Sequence, residues 1–344
     1  MPSTLALQGA IKLRKVMELY LPRAMESREL LKLFPLVKVN EVDLIYERRQ
    51  VATGVQWARG LGGASGSVKK QGLDTFRVSP GYYGDYYPIE EAELIRLRDV
   101  ADWNSFESYS AQTARATKHL TGRFLDRCEL NLGSLVTTGK FEAQNQQGVV
   151  YHQDVFKIDT YTSATLFSDL ANSTPIKFIR ELIPTLELGK AVSYRKGYML
   201  CSRPTVNLIL GNTNANDVGG RRIVNGSTIN SLEQFNEEIL LANDLPQFKV
   251  YDGGYYPDGG GPFVRFIPNG KIVLAGVRED GEQLGEYRLT RAAQNENAAP
   301  GEWYTVKDRR DETPPRVIME AGHNGGPAAY YPEGISVIHA AAPF

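Results

Sequence analysis

The chain has 344 residues, of which 42% are hydrophobic and 23% are charged, a composition that is ordinary for a globular protein with a buried core. Its 39 basic and 40 acidic side chains nearly cancel, so the overall charge does not indicate a nucleic-acid or membrane partner. The two cysteines are too few for a disulfide framework or a zinc cluster, and no apolar run approaches the roughly 18 residues of a membrane span. The length exceeds the usual limit for one core, roughly 250 to 300 residues, so we expect two lobes or one domain with long extensions.

Residues 1–40 are predicted to form a basic arm. The segment contains seven basic and three acidic residues, a net charge of +4, and Pro22 and Pro35 interrupt its helical patches. Three of the basic residues fall inside the first apolar stretch, which is therefore not a signal peptide; they are Lys12, Arg14 and Lys15. Because apolar side chains are sparse here, we expect the arm to need a partner surface to stay ordered.

Residues 41–92 are predicted to form a long flap. Two strand-like stretches, EVDLIYERRQVATGVQW and DTFRVSPGYYGDYYPI, flank the glycine-rich tip ARGLGGASGSVKKQG. The tip has Gly60, Gly62 and Gly66 at a spacing near that of a dinucleotide-binding signature, but no helical pattern follows it. Because an isolated two-stranded hairpin is marginally stable in water, we expect the flap to have no core of its own and to lie on another copy of the chain.

A long amphipathic helix is predicted from about residue 103 to residue 139. Asn104 and Glu107 have the spacing of a capping box, and Gly139 is the expected stop. The segment KFEAQNQQGVVYHQDVF then predicts a hairpin that turns near Gln147 and Gly148. Side chains at steps of three and four residues predict one buried stripe along the helix, formed by Thr117, Leu120, Phe124, Cys128, Leu132 and Leu135.

Alternating helices and strands predict a second, compact lobe from about residue 170 to residue 290. TPIKFIRELIPTLELGKAV is predicted to be helical, with Pro184 kinking the helix or beginning a new one. TVNLILG is predicted to be a buried strand, and SLEQFNEEILLAN a helix capped by Asn230 with Glu233. At the end of the chain, RVIMEAG and GISVIHAAAPF are predicted to pair as strands.

The glycine-rich stretch YDGGYYPDGGGPFVRFIPNGKIVLAG, which begins at residue 251, has the composition of a phosphate or calcium site. It lacks the P-loop pattern, since Ile272 follows Lys271 where that pattern requires Ser or Thr. Instead, PFVRFIP and KIVLAGV predict the two strands of a hairpin that turns at PNG. Asp252 and Asp258 lack the spacing of an EF-hand, so an exposed loop is favoured and a metal site is the alternative.

No motif in the sequence indicates catalysis. Four histidines are scattered without metal-ligand spacing, and the serine-hydrolase pattern G-x-S-x-G is absent. Adjacent acid pairs such as Glu90-Glu91 point apart and indicate a solvated surface. We therefore predict no catalytic residues, no cofactor and no metal ligands, while nucleophile–base pairs that form only in three dimensions stay open.

Five segments carry a resemblance to a known family by their order along the chain. They are FPLVKVNEVDLIYERRQVATGV, FRVSPGYYGDYYPI, LVTTGKFEAQNQQGVV, VYDGGYYPDGGGPFVRFIPNGKIVLAG and PPRVIMEAGHNGGPAAYYPEGISVIHAA. From about residue 35 to its end, the sequence resembles the lambda-type major capsid protein E family of tailed bacteriophages, which has the Hong Kong 97-type capsid fold. The resemblance implies an α+β chain with an N-arm at 1–40, an E-loop at 41–92, a P-domain with a long spine helix at 93–164, a compact A-domain at 165–295 and C-terminal P-domain strands at 296–344.

The resemblance implies a structural, non-enzymatic function. The chain would assemble with itself into hexamers and pentamers of an icosahedral shell around double-stranded DNA, in the host cytoplasm, and would reside in the virion capsid. Scaffold, portal and decoration proteins would be further partners, and no membrane is involved. Two alternatives stay open: an encapsulin-like nanocompartment shell of the same fold, and a metal-dependent glycan-binding or hydrolytic protein that acts as a monomer.

The resemblance also assigns three sets of residues to contacts within the shell. Those expected to face DNA without sequence specificity are Lys12, Arg14, Lys15, Arg23 and Arg28. The E-loop tip comprises Gly62, Gly63, Ser65, Lys69 and Lys70, and we expect no covalent crosslink there, since a Gly/Ser-rich tip does not desolvate a lysine. The A-domain loop near the capsomer axis comprises Asp252, Gly253, Gly254, Tyr255, Tyr256 and Asp258. Its glycines are expected to permit close backbone approach and positive φ, its tyrosines to make ring contacts and its aspartates to point outward.

Overall fold

The computed structural model describes residues 20–49, 73–96, 105–144, 149–188, 190–212, 231–258 and 260–341. Two five-stranded sheets and one long helix organise this part of the chain. The prediction of an α+β fold is confirmed. The predicted capping box at Asn104 and Glu107 involves a residue that lies outside the described ranges.

The end of the predicted arm packs on the body of its own chain. Residues 20–25 are helical, helix α1 spans Glu29–Leu33 and strand β1 spans Leu36–Lys38. Three side chains of this region are buried in the main core, namely Leu30, Leu31 and Phe34. The partner surface that the sequence predicts for the arm is therefore supplied, at residues 30–34, by the same chain.

The predicted flap contains three strands, of which two form a hairpin. Strand β2 spans Leu44–Arg49 and pairs antiparallel with β3, Leu73–Val78. Strand β4 spans Gly81–Ile89 and joins a five-stranded sheet. The strand predictions are confirmed for these residues.

The base of the flap is anchored in the main core. Leu44 and Tyr46 are buried there, because alternate side chains of β2 point towards the same side of the strand. The expectation that the flap has no core within its own chain is therefore wrong at its base.

The long predicted helix is present, as helix α3, Ser105–Thr138. A short helix α2, Glu91–Arg96, precedes it. All six side chains of the predicted stripe are buried. Gly139 follows with a φ of +70°, and its backbone N–H donates to the carbonyl of Leu135 at 2.8 Å, which confirms the predicted stop.

The hairpin predicted after this helix is confirmed. Strand β5, Lys140–Gln144, pairs antiparallel with β6, Val150–Val155, while the predicted turn residues lie outside the described ranges. Strand β7, Asp159–Thr162, follows and joins the second large sheet.

The second lobe begins with a helix and a strand. Helix α4 spans Pro175–Glu187 as one helix with Pro184 inside it, so Pro184 does not begin a new helix. Strand β8 spans Val192–Cys201 and lies inside the second large sheet.

The segment TVNLILG is helical, so the prediction of a strand there is wrong. Helix α5 spans Arg203–Leu210 and has a proline in its first turn, where a missing N–H costs nothing. Thr205, Val206 and Ile209 are buried at helical spacing. A short apolar run fits either periodicity, and here the proline and the packing select the helix.

The helix predicted in SLEQFNEEILLAN is present but irregular. An α-helical turn, Leu232–Gln234, continues into π-helical turns, Phe235–Leu240, and a 3₁₀ turn, Leu241–Asn243. Ser231 is the N-cap, and its hydroxyl accepts a 3.2 Å hydrogen bond from the backbone N–H of Gln234. The prediction of Asn230 as the cap is therefore wrong.

The glycine-rich stretch does not form the predicted hairpin. Four strands follow the irregular helix: β9 (Gln247–Val250), β10 (Gly254–Tyr255), β11 (Val264–Arg265) and β12 (Lys271–Arg278). Strand β11 pairs with β10, whereas β12 pairs with β8 on one side. The turn at PNG is present, since the N–H of Lys271 donates to the carbonyl of Pro268. Burial of most of β12 requires partners along both of its edges, and this requirement overrides the local turn signal.

The first large sheet is built around one long strand, β15, Arg316–Ala329. Strands β14 (Trp303–Arg309) and β13 (Gly285–Leu289) pair with consecutive parts of one edge of β15. Strand β4 pairs with its other edge, and β1 extends the sheet beyond β13.

The predicted terminal strand pair is wrong. The last strand, β16, spans Ile335–His339 and pairs with β12 and β7 in the second sheet. RVIMEAG lies in β15, in the first sheet. The two segments are both strands, as predicted, but they belong to different sheets.

Strand β12 separates two cores. Ile272 and Leu274 face the core of the second lobe, and Val273 faces the main core, which contains α3, because successive side chains of a strand alternate. A smaller cluster lies between the N-terminal half of α3 and β15. The division of the chain into arm, E-loop, P-domain and A-domain stays a prediction.

Candidate functional site

Residues 251–258 and 260–265 form a short hairpin through β10 and β11. They are called the axial loop below, after the predicted position of this loop in the capsomer. A Cβ atom on Gly254 would overlap the carbonyl oxygen of Val264, and one on Gly253 would overlap the ring of Tyr251. Neither Gly253 nor Gly254 has a positive φ. Close approach of neighbouring atoms, and not a left-handed backbone, therefore requires these two glycines.

Both aspartates of the axial loop have nitrogen partners. One carboxylate oxygen of Asp252 accepts from the backbone N–H of Arg203 at 3.0 Å and from Nε of Arg265 at 3.3 Å. The Asp258 carboxylate accepts two hydrogen bonds from Arg123, at 2.7 and 2.8 Å. These contacts occupy lone pairs that a cation would otherwise use.

Arg123 of helix α3 joins two separate parts of the chain. Besides its two bonds to Asp258, its Nε donates to Asp85 of β4 at 2.8 Å. The hydrogen bonds from Arg123 lower the pKa of Asp258 below its usual value. The planar guanidinium thus fixes the tip of the axial loop to the helix and to the first sheet.

The two tyrosines of the axial loop differ in their contacts. Tyr255 stacks on Phe266 with ring centroids 6.1 Å apart. Tyr256 is 72% exposed and makes a tilted contact with Phe263 at 5.1 Å. Tyr256 therefore presents most of its ring to solvent or to a partner.

In the ranges that the structure describes, no three His, Cys, Asp or Glu side chains are grouped so as to hold a metal ion. The same ranges contain no helix that is long and apolar enough to cross a membrane.

The two described basic residues of the arm have different surroundings. Arg23 is exposed. Arg28 donates to Asp126 and to Glu129 of helix α3, each at 2.7 Å. Two carboxylates thus pair with Arg28 and attach the arm to α3, and the predicted DNA contact of Arg28 stays a prediction.

The arm attachment and the start of the axial loop meet at one buried carboxylate. Glu129 is 1% exposed, and burial raises its pKa. Burial, followed by the charge of Glu129, raises the pKa of Tyr251, the first residue of the axial loop. Sequence spacing gives no signal for this cluster, because its members come from three distant segments.

The remaining predicted contact residues lie outside the described ranges. On the arm these are Lys12, Arg14 and Lys15. At the E-loop tip they are Gly62, Gly63, Ser65, Lys69 and Lys70. Their predicted roles stay predictions.

A buried polar cluster that the sequence does not reveal lies between α3 and the first sheet. The Sγ of Cys128 is 3.8 Å from Nε2 of His323, and that nitrogen is 3.1 Å from the hydroxyl of Tyr287. The amide of Asn131 donates to Tyr287 at 3.0 Å. Burial lowers the pKa of His323 to about 3 and raises that of Cys128.

The buried cluster is neutral at pH 7 and has no access to solvent. His323 is 1% exposed and Cys128 is fully buried. A neutral imidazole and an un-ionised thiol in such a place act in packing and hydrogen bonding. We therefore assign this cluster to the fold and not to catalysis.

No protein-family model matches the sequence, and a search of curated proteins finds no match. Solved structures are similar over most of the chain. A protein assigned as the capsid protein of an E. coli CFT073 prophage superposes with a TM-score of 0.57 at 13% identity, covering 92% of this chain and 93% of that one. The capsid of the native GTA particle gives 0.52 at 12% identity, over 91% of this chain and 90% of that one.

A third similar structure is a phage-related protein from Bordetella bronchiseptica RB50. It has a TM-score of 0.51 at 10% identity and covers 92% of each chain. At such low identities the similarity is one of fold. The chain has the Hong Kong 97-type capsid fold, as the resemblance in sequence implies.

Proposed function

We propose that this chain is the major capsid protein of a tailed bacteriophage or prophage. In this role it assembles with copies of itself into hexamers and pentamers of an icosahedral shell around double-stranded DNA. The observation that carries the proposal is the extent of the fold similarity, which covers 90% or more of this chain and of each of three solved phage-related chains.

The exposed apolar side chains support a role in assembly. Tyr82 and Tyr86 are 69% and 68% exposed, and they lie on the same side of β4 because alternate side chains of a strand point to one side. Contiguous exposed apolar surface marks interaction sites, and a shell subunit covers such surface with its neighbours. The flap hairpin, β2 and β3, has one side in the main core and the other side open to a neighbour.

The proposed role is structural and not catalytic, in line with the capsid neighbours of the fold. The protein would be found in the virion capsid after assembly in the host cytoplasm. Scaffold, portal and decoration proteins belong to the proposal as further partners, and the packaged DNA would be held by contacts without sequence specificity.

Electron microscopy of the purified full-length protein tests the proposal. We expect closed shells of uniform diameter, together with fast-sedimenting material in the ultracentrifuge. In infected or induced cells, the same shells should contain nuclease-protected DNA. A protein that stays monomeric at every concentration would overturn the proposal, and so would shells that enclose a protein cargo and no DNA, as an encapsulin-like nanocompartment would.

A further inference from the structure

The exposed face of helix α3 between residues 115 and 122 is basic. Arg115 and Lys118 are both exposed there, and at a spacing of three residues they lie on the same side of the helix. No acidic residue occurs between Glu107 and Asp126. This local excess of positive charge contrasts with the near-neutral chain as a whole.

Among the described residues, no carboxylate forms an ion pair with this face. Within the described part of the chain, the ion pairs of α3 use Arg123, Asp126 and Glu129, and none of them involves Arg115 or Lys118. Asp126, the next acidic residue towards the C-terminal end of α3, is already paired with Arg28 of the arm.

The end of the arm lies next to this face of α3 and adds one further basic residue. The ammonium of Lys118 lies 5.8 Å from the centroid of the Tyr20 ring, and the ion pairs of Arg28 lie further along α3. The helical residues 20–25 therefore run beside α3, and they carry Arg23, which is exposed. We call Arg23, Arg115 and Lys118 the basic strip.

Beside the basic strip, no described residue packs against α3 at Gly122. A Cβ atom on Gly122 would meet no heavy atom within 4 Å. Gly122 lies about 10 Å along the helix axis from Arg115, at roughly 1.5 Å per residue. A bulky partner can therefore approach the helix closely where the strip ends.

We propose that the basic strip binds the phosphate backbone of the enclosed double-stranded DNA. This inference rests on the proposed function, which supplies the polyanion, and it adds α3 to the arm as a contact surface. Guanidinium and ammonium groups without carboxylate partners bind phosphates and release condensed counterions, so the binding is salt-dependent and independent of sequence.

Neutralisation of the strip tests the proposal. The full-length protein with Arg115→Gln and Lys118→Gln is titrated with a short double-stranded DNA fragment of mixed sequence, at NaCl concentrations from about 50 to 200 mM. Loss of two phosphate contacts makes the negative slope of log K against log [NaCl] less steep by about 2. A slope equal to that of the unmodified protein would overturn the proposal.

The chain offers a matched control in the second lobe. Lys177 and Arg180 of helix α4 have the same spacing of three residues and are also exposed. Lys177→Gln with Arg180→Gln removes the same charge and should leave the slope unchanged. An equal loss of slope in this control would show that only net charge matters, and it would also overturn the proposal.

A second pair of variants tests the strip without removing a basic residue. Gly122→Glu places a carboxylate one helical turn from Lys118, in space that is open, and Gly122→Gln adds an uncharged side chain of nearly the same shape. We expect weaker DNA binding for Gly122→Glu than for Gly122→Gln, by several-fold at about 50 mM NaCl. Equal binding of the two variants would contradict the proposal.

Particle formation separates this inference from the proposed function. Electron microscopy of every variant should show shells like those of the unmodified protein, with a shorter length of packaged DNA for the strip variants. If the unmodified protein forms no shells, the proposed function fails. If all variants form shells with full-length DNA, only the basic strip fails.

Discussion

The flap base and the axial loop are two projections of the same chain that are attached by different kinds of contact. At the flap base, Tyr46 is 2% exposed and lies against Phe76 and Phe156, with ring centroids 5.5 and 6.3 Å away. At the tip of the axial loop, Asp258 is held by Arg123, with 60% of the aspartate side chain exposed. The flap base is attached by buried apolar contacts, and the tip of the axial loop is attached by a solvent-exposed ion pair.

This difference predicts which of the two projections can detach from the rest of the chain. Burial of a large apolar side chain is worth about 1.5 to 3 kcal/mol and is not subject to electrostatic screening by salt. An exposed ion pair is worth about 0 to 1 kcal/mol and is screened by salt. We therefore expect the flap base to stay fixed to its own chain, while the tip of the axial loop can be released at little cost.

The largest expected effect comes from shortening the flap beyond its anchored base. Arg49 is directly opposite Leu73 in the hairpin, so residues 50–72 can be replaced by Asn-Gly, which suits a two-residue turn. We expect a folded, soluble protein that forms no shells, because the anchor remains and the reach to a neighbour is lost. Electron microscopy tests whether shells are lost, and circular dichroism tests whether the protein is folded.

The control for the shortened flap is a variant whose flap has the natural length and a different sequence. Replacement of residues 58–72 by a Gly/Ser sequence of equal length tests whether reach alone is enough for assembly. Normal shells from the shortened flap would show that assembly does not depend on this extension.

The second effect concerns the apolar anchor. Tyr46→Ala should lower the free energy of unfolding by about 3 to 5 kcal/mol, because it leaves a cavity in the main core. Urea denaturation of the unassembled full-length protein measures this change. Ile45→Ala is the matched control, since Ile45 is adjacent and 40% exposed, and it should change the free energy by about 0.5 kcal/mol or less. Similar costs for the two variants would contradict an anchor made by burial.

The third effect concerns the ionic anchor. Arg123→Gln should lower the free energy of unfolding by less than about 1 kcal/mol and increase hydrogen exchange of the backbone amides in the axial loop. Arg195→Gln is the matched control, because Arg195 also bridges two carboxylates, Glu187 and Asp244, and it should leave the axial loop unchanged. A large loss of stability with no change in exchange would mean that Arg123 supports the fold and not the loop.

The same ion pair predicts a pH dependence. The pKa of Asp258 is lower in the folded protein than its usual value of 3.8, so the unfolded chain binds the proton more readily. The contribution of this pair is present above pH 4 and is lost as the pH falls through the lower folded pKa. The protection factors of the axial-loop amides, which correct for the slower intrinsic exchange in acid, should therefore fall as the pH is lowered in the unmodified protein, and they should fall less for Arg123→Gln.

The smallest expected effect is that of a metal chelator. Both aspartates of the axial loop already accept hydrogen bonds from nitrogen donors, so we expect no change in the melting temperature of assembled particles when a chelator is added. The variant with Asp252→Asn and Asp258→Asn should respond in the same way. A fall of several degrees in the unmodified particles that the double variant lacks would identify the loop as a metal site.

Local signals in the sequence predict the elements well where a side-chain pattern is long. The stripe along α3 extends over many turns, and a pattern of that length fits only a helix. The seven residues of TVNLILG fit a strand as well as a helix, and the structure places the first six in α5 and the seventh, Gly211, at its C-cap. The PNG turn is correctly predicted, but the strands on its two sides pair with other partners.

Some features of the candidate site can be predicted from the sequence, and others cannot. The glycine-rich composition of the axial loop and the basic character of the arm can be predicted from the sequence, since both are properties of contiguous residues. The partners of Asp258 and Arg28 could not be predicted, because they lie 135 and about 100 positions away along the chain. The buried cluster at His323 has no signal in sequence for the same reason.

The sequence by itself determined the basic arm, the long helix with its stop at Gly139, most of the strands and the absence of a catalytic motif. These features depend on side-chain periodicity and backbone preference within one segment. The tertiary structure alone decided which strands share a sheet, which charges are neutralised and which face of α3 stays basic. Those outcomes depend on contacts between distant segments, because a buried strand edge or an unpaired charge is satisfied by whichever group the fold brings within reach.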